Sequence, residues 1–301
     1  MSDRVVVAGA SGLIGRALVA SLRADGIPVT RLVRRPAQSA DEVSWNPARE
    51  TLDPDVLAGA RAVVGLNGAT LGRFPWTRRY KHELVWSRIA PTQALAAAVR
   101  ALGEDAPAFV SASAVGYYPS ARGALFAETA PRGDGFLAEL CSEWEHAARH
   151  GADDRARVAL LRTAPVVHAD GVLAPLLLLT RLGLSGPIGD GTQVWPWISL
   201  EDEVRAIRHI VDAGLSGPVN LTGPERATAN DLGFALARRM NRPYLLRAPE
   251  WALRLGLGAD ATAGLLMTDT HAVPAVLTAS GFTFTHATVE DAVAAAVPST
   301  T

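Results

Sequence analysis

The first apolar run, Val5-Val6-Val7-Ala8, is short, β-branched and uninterrupted, the pattern of a core strand. It feeds Gly9-Ala10-Ser11-Gly12-Leu13-Ile14-Gly15, after which Leu18, Val19 and Leu22 recur at helical spacing. The predicted order is strand, turn, helix. Residues 28–33 predict a second strand, 42–45 a short third and 61–69 a fourth. Residues 76–100 read as a long helix, interrupted or started near Pro91. A strand over 108–114, a helix over 143–150 and a buried parallel strand at 157–167 follow.

The later chain changes character. Residues 172–184 predict a helix, 186–191 a loop and 193–198 an extended stretch carrying Trp195 and Trp197. The tryptophans suit either a binding-site wall or a seal between domains. A helix over 200–213, capped by Ser199, precedes a strand at 218–221. Helical segments follow at 228–240 (capped by Thr228), 249–257, 262–267 and 289–297. Alternating strands and helices predict an α/β fold: a Rossmann-type doubly wound parallel sheet with a smaller, mostly helical C-terminal substrate domain. The expected division is 1–165 for nucleotide binding, completed by about 198–222, and 166–301 for the substrate-binding lid.

Composition narrows the function classes. The chain has 301 residues, 49% of them hydrophobic, enough for one large domain or two sharing a core. A net charge of -1 gives no general attraction to nucleic acid or anionic membrane. Cys141 is the sole cysteine, which excludes an internal disulfide and a multi-cysteine zinc site and fits a reducing cytoplasm. No signal peptide is visible, and the longest apolar run, 172–184, is interrupted by Pro175 and Arg181 and too short to span a bilayer. A small molecule is the expected partner, with no nucleic acid and no membrane, and an oligomer left open.

The glycines supply the first candidate chemistry. Gly9 lets the backbone leave the strand, Gly12 permits close approach of a pyrophosphate, and Gly15 lets the helix pack on the sheet. The amides around Ser11, Gly12, Leu13 and Ile14 open a helix whose dipole favours an anion. Where an NAD site usually places an acid on the ribose, this chain has Arg34 and Arg35, which suit the 2′-phosphate of NADP. Leu66, Asn67 and Gly68 end the fourth strand at the same crevice, and Arg88 is a further cofactor candidate on the long helix. Ser111 and Ser113 end the fifth strand beside Tyr117 and Tyr118. Hydroxyls there can hold a substrate carbonyl near a nicotinamide.

Gly9–Gly15, the 111–118 stretch and the β/α alternation resemble the extended short-chain dehydrogenase/reductase superfamily. The run Arg181-Leu182-Gly183-Leu184-Ser185-Gly186-Pro187-Ile188-Gly189-Asp190-Gly191, with Trp197-Ile198-Ser199-Leu200-Glu201-Asp202, resembles its atypical, epimerase-like NADP-binding family, which ends in a small domain of unknown function. Members are often labelled sugar-nucleotide epimerases, and some cell-division inhibitors. The resemblance implies that Ala164, Pro165 and Val166 contact the nicotinamide through backbone atoms.

One departure bears on catalysis. The superfamily's Tyr-x-x-x-Lys pair falls here at Leu137 and Cys141, which cannot perform its acid–base work. Ser113, Tyr117 and Tyr118 are therefore the catalytic candidates. His146 and His150 stand four apart without a third ligand, so no metal site is expected. The expected function is an NADP(H)-dependent oxidoreductase acting on a small organic substrate. The alternatives are a sugar-nucleotide epimerase or dehydratase, and a non-catalytic NADPH-binding sensor.

Overall fold

The computed structural model describes residues 3–152, 156–171 and 173–298. Its first half alternates strand and helix: β1 Val5–Ala8, α1 Leu13–Ala24, β2 Val29–Val33, β3 Glu42–Ser44, β4 Ala62–Gly65, α2 Arg78–Ala101, β5 Ala108–Ala114, β6 Leu125–Phe126, α3 Phe136–Ala152 and β7 Val158–Thr163. The second half holds β8 Val166–Val167, α4 Leu173–Arg181, β9 Ile198–Ser199, α5 Leu200–Asp212, β10 Gly217–Leu221 and α6 Ala229–Arg239. It ends with α7 Glu250–Leu257, α8 Ala259–Ala261, β11 His271–Ala272, α9 Ala275–Ala279 and α10 Val289–Ala296.

Seven strands form one parallel sheet in the order β10-β7-β5-β4-β1-β2-β3. Successive residues of a strand face opposite layers, so an uninterrupted apolar run serves two cores at once. Val5 and Val7 pack with α1 and α5 through Leu18, Val19, Ile207 and Ile210. Val6 and Ala8 face the other layer, with Leu95, Val99 and Ala148 of α2 and α3. A third cluster joins Trp195 and Trp197 to α6 and α10. Both indole N–H groups are committed to backbone carbonyls, Trp195 to Leu266 and Trp197 to Glu225. The tryptophans therefore seal a junction.

Ser199 and Thr228 cap α5 and α6, accepting from the amides of Asp202 and Asp231. The expected break at Pro91 is absent. α2 runs through it, because Pro91 lies among the buried residues of the helix and packing outweighs one lost backbone bond. The expected helix at 262–267 is instead a π-helical turn, Thr262–Leu266, so its side chains do not follow α-helical spacing. Of the predicted helix at 172–184, α4 covers Leu173–Arg181, and Val172 lies outside the described residues. Among the described residues no helix is long and apolar enough to cross a membrane.

Candidate functional site

The order β4-β1-β2 makes β1 the centre from which the sheet winds both ways, and its carboxyl end opens the crevice. Gly9 sits there at φ +81°, and a Cβ on it would lie 2.7 Å from the backbone of Leu66. A Cβ on Gly15 would lie 2.3 Å from Gly9 O. Only glycine fits at either place. Gly12 N donates to Gly9 O at 3.0 Å, and Gly12 begins α1 with no side-chain cap and no acid in the first turn. Backbone amides at this helix start are thus left to an anion.

Leu66, Asn67 and Gly68 form the facing wall. Leu66 N donates to Ala8 O at 2.9 Å, and Asn67 Oδ1 is buried with no hydrogen-bond partner. An orphaned acceptor beside an uncapped helix start fits a dinucleotide's hydroxyls and pyrophosphate. Arg88 lies beneath this wall, buried, with Nη1 donating to Leu84 O at 2.9 Å and Nη2 to Ala69 O at 3.0 Å. A Cβ on Gly68 would approach its Cζ to 3.1 Å. Burial lowers its pKa from the usual arginine value. Against the expectation of a cofactor contact, Arg88 props the loop from below, with one N–H of Nη1 and one of Nη2 given to that task.

The two arginines after β2 differ. Arg35 Nη1 and Nη2 each bond a Glu42 oxygen at 2.7 Å. The Arg35 hydrogen bond, helped by the Gln38 amide, holds the Glu42 carboxyl down at about 2. Arg34 is exposed, and its side chain makes no hydrogen bond or ion pair among the described residues. The structure thus corrects the pairing of the two as equals: Arg35 is neutralised by Glu42, and Arg34 alone offers an uncompensated guanidinium.

At the end of β5, Ser111 Oγ reaches Ala112 O at 3.3 Å. Ser113 Oγ donates to Glu145 Oε1 at 2.9 Å and is buried. Register explains the next step, because Ser113 pairs with Arg162 across β5 and β7, placing both on the α3 side of the sheet. Arg162 bonds both Glu145 oxygens, Nε at 2.7 Å and Nη2 at 2.9 Å, and Nη1 reaches Tyr118 Oη at 2.9 Å and Glu128 O at 3.0 Å. Tyr118 Oη in turn donates to Asn220 Oδ1 at 2.6 Å. Burial is the largest single influence and disfavours the Arg162 charge, but the Glu145 bond and charge together with Tyr118 outweigh it, and the guanidinium is raised above its ordinary value.

This network separates the tyrosines. Tyr118 is buried, and burial pushes its phenol above the usual range. Both lone-pair and proton sides of its hydroxyl are used inside the fold, so the expectation of a proton-donating Tyr118 is corrected. Tyr117 lies with its ring 3.6 Å from the Arg162 guanidinium carbon and is only partly buried. Its hydroxyl makes no hydrogen bond among the described residues.

Leu137 and Cys141, the positions where the resemblance would place the acid–base pair, lie among apolar atoms. A Cβ on Gly116 would lie 3.3 Å from Leu137 Cβ and 3.8 Å from Cys141 Sγ, and one on Gly264 would lie 3.1 Å from Leu137 Cδ1. The position is packed by apolar atoms, and burial pushes the Cys141 thiol up to about 12. His146 and His150 rings lie 4.1 Å apart on α3. Ala164 N is committed to Leu221 O at 2.9 Å, Pro165 O accepts from Ile198 N at 3.3 Å, and Val166 belongs to β8. Below them Thr163 Oγ1 donates to Glu203 Oε1 at 2.9 Å, while Glu203 Oε2 is buried without a partner. Burial pushes the Glu203 carboxyl up to about 8.

Glu145, Arg162, Asn220 and Glu203 were not singled out from sequence. Their signal is present: a charge or amide inside an apolar run, as in Leu160-Leu161-Arg162 and Val219-Asn220-Leu221. A polar residue there has to find a buried partner.

A glycine turn at the sheet's winding centre, an uncapped helix start and a hydroxyl-bearing strand tip define an NAD(P)-binding α/β fold of the short-chain dehydrogenase and epimerase type. Residues 5–221 match the model of the NAD dependent epimerase/dehydratase family, and 248–296 match a domain of unknown function, DUF1731. An epimerase family protein of Mycobacterium leprae (strain TN) is 43% identical over 290 residues, covering 96% of this chain and 94% of that protein. A chloroplastic epimerase family protein of Arabidopsis thaliana is 32% identical over 309 residues, covering 97% and 86%. The crystal structure of a human epimerase family protein with NADPH superposes with a TM-score of 0.87 at 29% identity, covering 97% of this chain and 98% of that one. The chain belongs to the NAD dependent epimerase/dehydratase family, in the branch that ends in this domain of unknown function.

Proposed function

We propose that the chain is an NADP(H)-dependent oxidoreductase acting on a small organic substrate beside the end of β5. The observation that carries this reading is Arg34, an exposed, uncompensated cation at the end of β2, where a ribose 2′-phosphate would lie. The human relative solved with NADPH supports it. The amides of Gly12, Leu13 and Ile14 would hold the pyrophosphate, and Asn67 Oδ1 would accept from a cofactor hydroxyl or amide. The bound nicotinamide supplies hydride transfer.

The chain's own residues handle position and protons. Ser113 donates to Glu145 and so presents lone pairs, which would receive the hydroxyl of the alcohol that carbonyl reduction forms. Tyr117, seated on Arg162, exchanges a proton with the substrate oxygen. Cys141, the sole cysteine and buried, suits a reducing cytoplasm.

The test is NADPH oxidation against a panel of aldehydes and ketones. Net oxidation that falls in Tyr117→Phe supports the reading. The apolar packing of Leu137 and Cys141 favours one other reading, a sensor that binds NADPH without turning it over. Tight binding with no turnover across the panel would select it.

A further inference from the structure

The net charge of -1 hides a local imbalance. Residues 173–190 and 241–260 contain four arginines, Arg181, Arg242, Arg247 and Arg254, and three acids, Asp190, Glu250 and Asp260. Arg254 pairs with Glu250 at 2.7 Å, Asp190 with Arg122 and Asp260 with Lys81, and Arg247 Nε donates to Gly189 O, which leaves Arg181 and Arg242 exposed with no side-chain bond among the described residues. The fold brings these two stretches together. Leu245 N and Leu246 N donate to Ser185 O at 2.9 and 3.0 Å, Ala248 N donates to Pro187 O at 2.8 Å, and Gly189 N donates to Ala248 O at 2.9 Å. A Cβ on Gly186 would come within 2.3 Å of Leu246 O, so the two backbones touch.

This ladder joins the end of α4 to the start of α7, and large apolar side chains stand out along it. Leu178 and Leu182 are exposed at the end of α4, one turn apart. On α7, Trp251 is 71% exposed and Leu255 83%, again one turn apart, and Leu245 on the ladder is 78% exposed. Large exposed apolar groups clustered around one backbone ladder mark an interaction site more often than bare solvent-facing surface.

We propose that this face docks on the surface of an anionic lipid bilayer. Charge and shape select that occupant. Arg181 and Arg242, exposed and unpaired among the leucines, complement anionic headgroups, and protruding leucines with a tryptophan suit the soft boundary between headgroups and acyl chains. At its C-terminal end α7 meets the protein through Leu257, which packs against the cluster of Trp76, Tyr80, Leu84 and Ala261.

The test is co-sedimentation of the full chain with phosphatidylcholine vesicles, pure or containing about 30 mol% phosphatidylglycerol. The expected result is binding to the anionic vesicles, weakened by salt, and at least about tenfold weaker in Trp251→Ser/Leu255→Ser and in Arg181→Glu/Arg242→Glu. Far-UV circular dichroism confirms that both variants are folded, since all four side chains are exposed. No wild-type binding to anionic vesicles overturns the proposal, as does equal binding by wild type and Trp251→Ser/Leu255→Ser. A dimer in size-exclusion chromatography that this variant abolishes, without vesicle binding, assigns the face to a second copy and overturns it too. NADPH calorimetry on the same preparations keeps this outcome separate from the cofactor reading.

Discussion

Arg35 and Glu42 bind each other through two hydrogen bonds of 2.7 Å each, at the edge of the sheet where β2 hands over to β3. The pair cancels one of two adjacent arginines. Arg34→Ala is therefore expected to weaken NADPH by about 10- to 100-fold, the worth of one charge-assisted contact, and to leave NADH nearly unchanged. Arg35→Ala/Glu42→Ala, which removes both members together, should keep NADPH within about threefold of wild type. Calorimetric titration of each variant with both nucleotides checks this. Equal losses for NADPH and NADH in Arg34→Ala would contradict it.

The tyrosines are expected to separate just as cleanly. Tyr117→Phe should lower kcat by about 100-fold or more with little change in stability, the size of a lost general acid. Tyr118→Phe should do the reverse, costing about 1–3 kcal/mol of stability because Asn220 and Arg162 each lose a buried partner. Steady-state kinetics and urea unfolding, run on both variants, distinguish the two roles.

Arg162 and Glu145 are both buried and bond twice. Arg162→Met leaves a carboxylate inside the fold without its cation and is expected to cost about 3–5 kcal/mol. Arg162→Met/Glu145→Gln should cost less than the sum of the two single changes, because neither charge is then stranded. Denaturant midpoints of the four proteins close the cycle.

Glu203 predicts a pH dependence. Its folded pKa of about 8 exceeds the ordinary carboxylate value, so the native state keeps a proton that the unfolded chain releases. The contribution is fully present below the unfolded pKa near 4.3. It declines as pH rises, by at most about 1.4 kcal/mol per pH unit, until the folded group ionises near 8. Glu203→Gln should flatten this decline in Tm between acid and neutral pH. An unchanged slope would show that Glu203 ionises alike in both states.

The sheet was legible because β1 and β4 are uninterrupted apolar runs, and β5 and β7 begin as such runs, which only a two-faced core can use. Ser199 and Thr228 were legible as caps because their chemistry is local. What escaped depends on distance and direction. Glu145 and Arg162 meet across the sheet only through the register that sets Ser113 opposite Arg162. Neighbours such as Tyr117 and Tyr118, or Arg34 and Arg35, look alike in sequence yet face different surroundings. The whole-chain charge likewise averaged away the arginines around α7.

The most direct measurement is isothermal titration of the purified chain with NADPH and with NADH at equal ionic strength. The account predicts one site per chain, with NADPH bound at least about tenfold more tightly, the margin that one phosphate–guanidinium contact supplies. No heat with either nucleotide, or a preference for NADH, would contradict it.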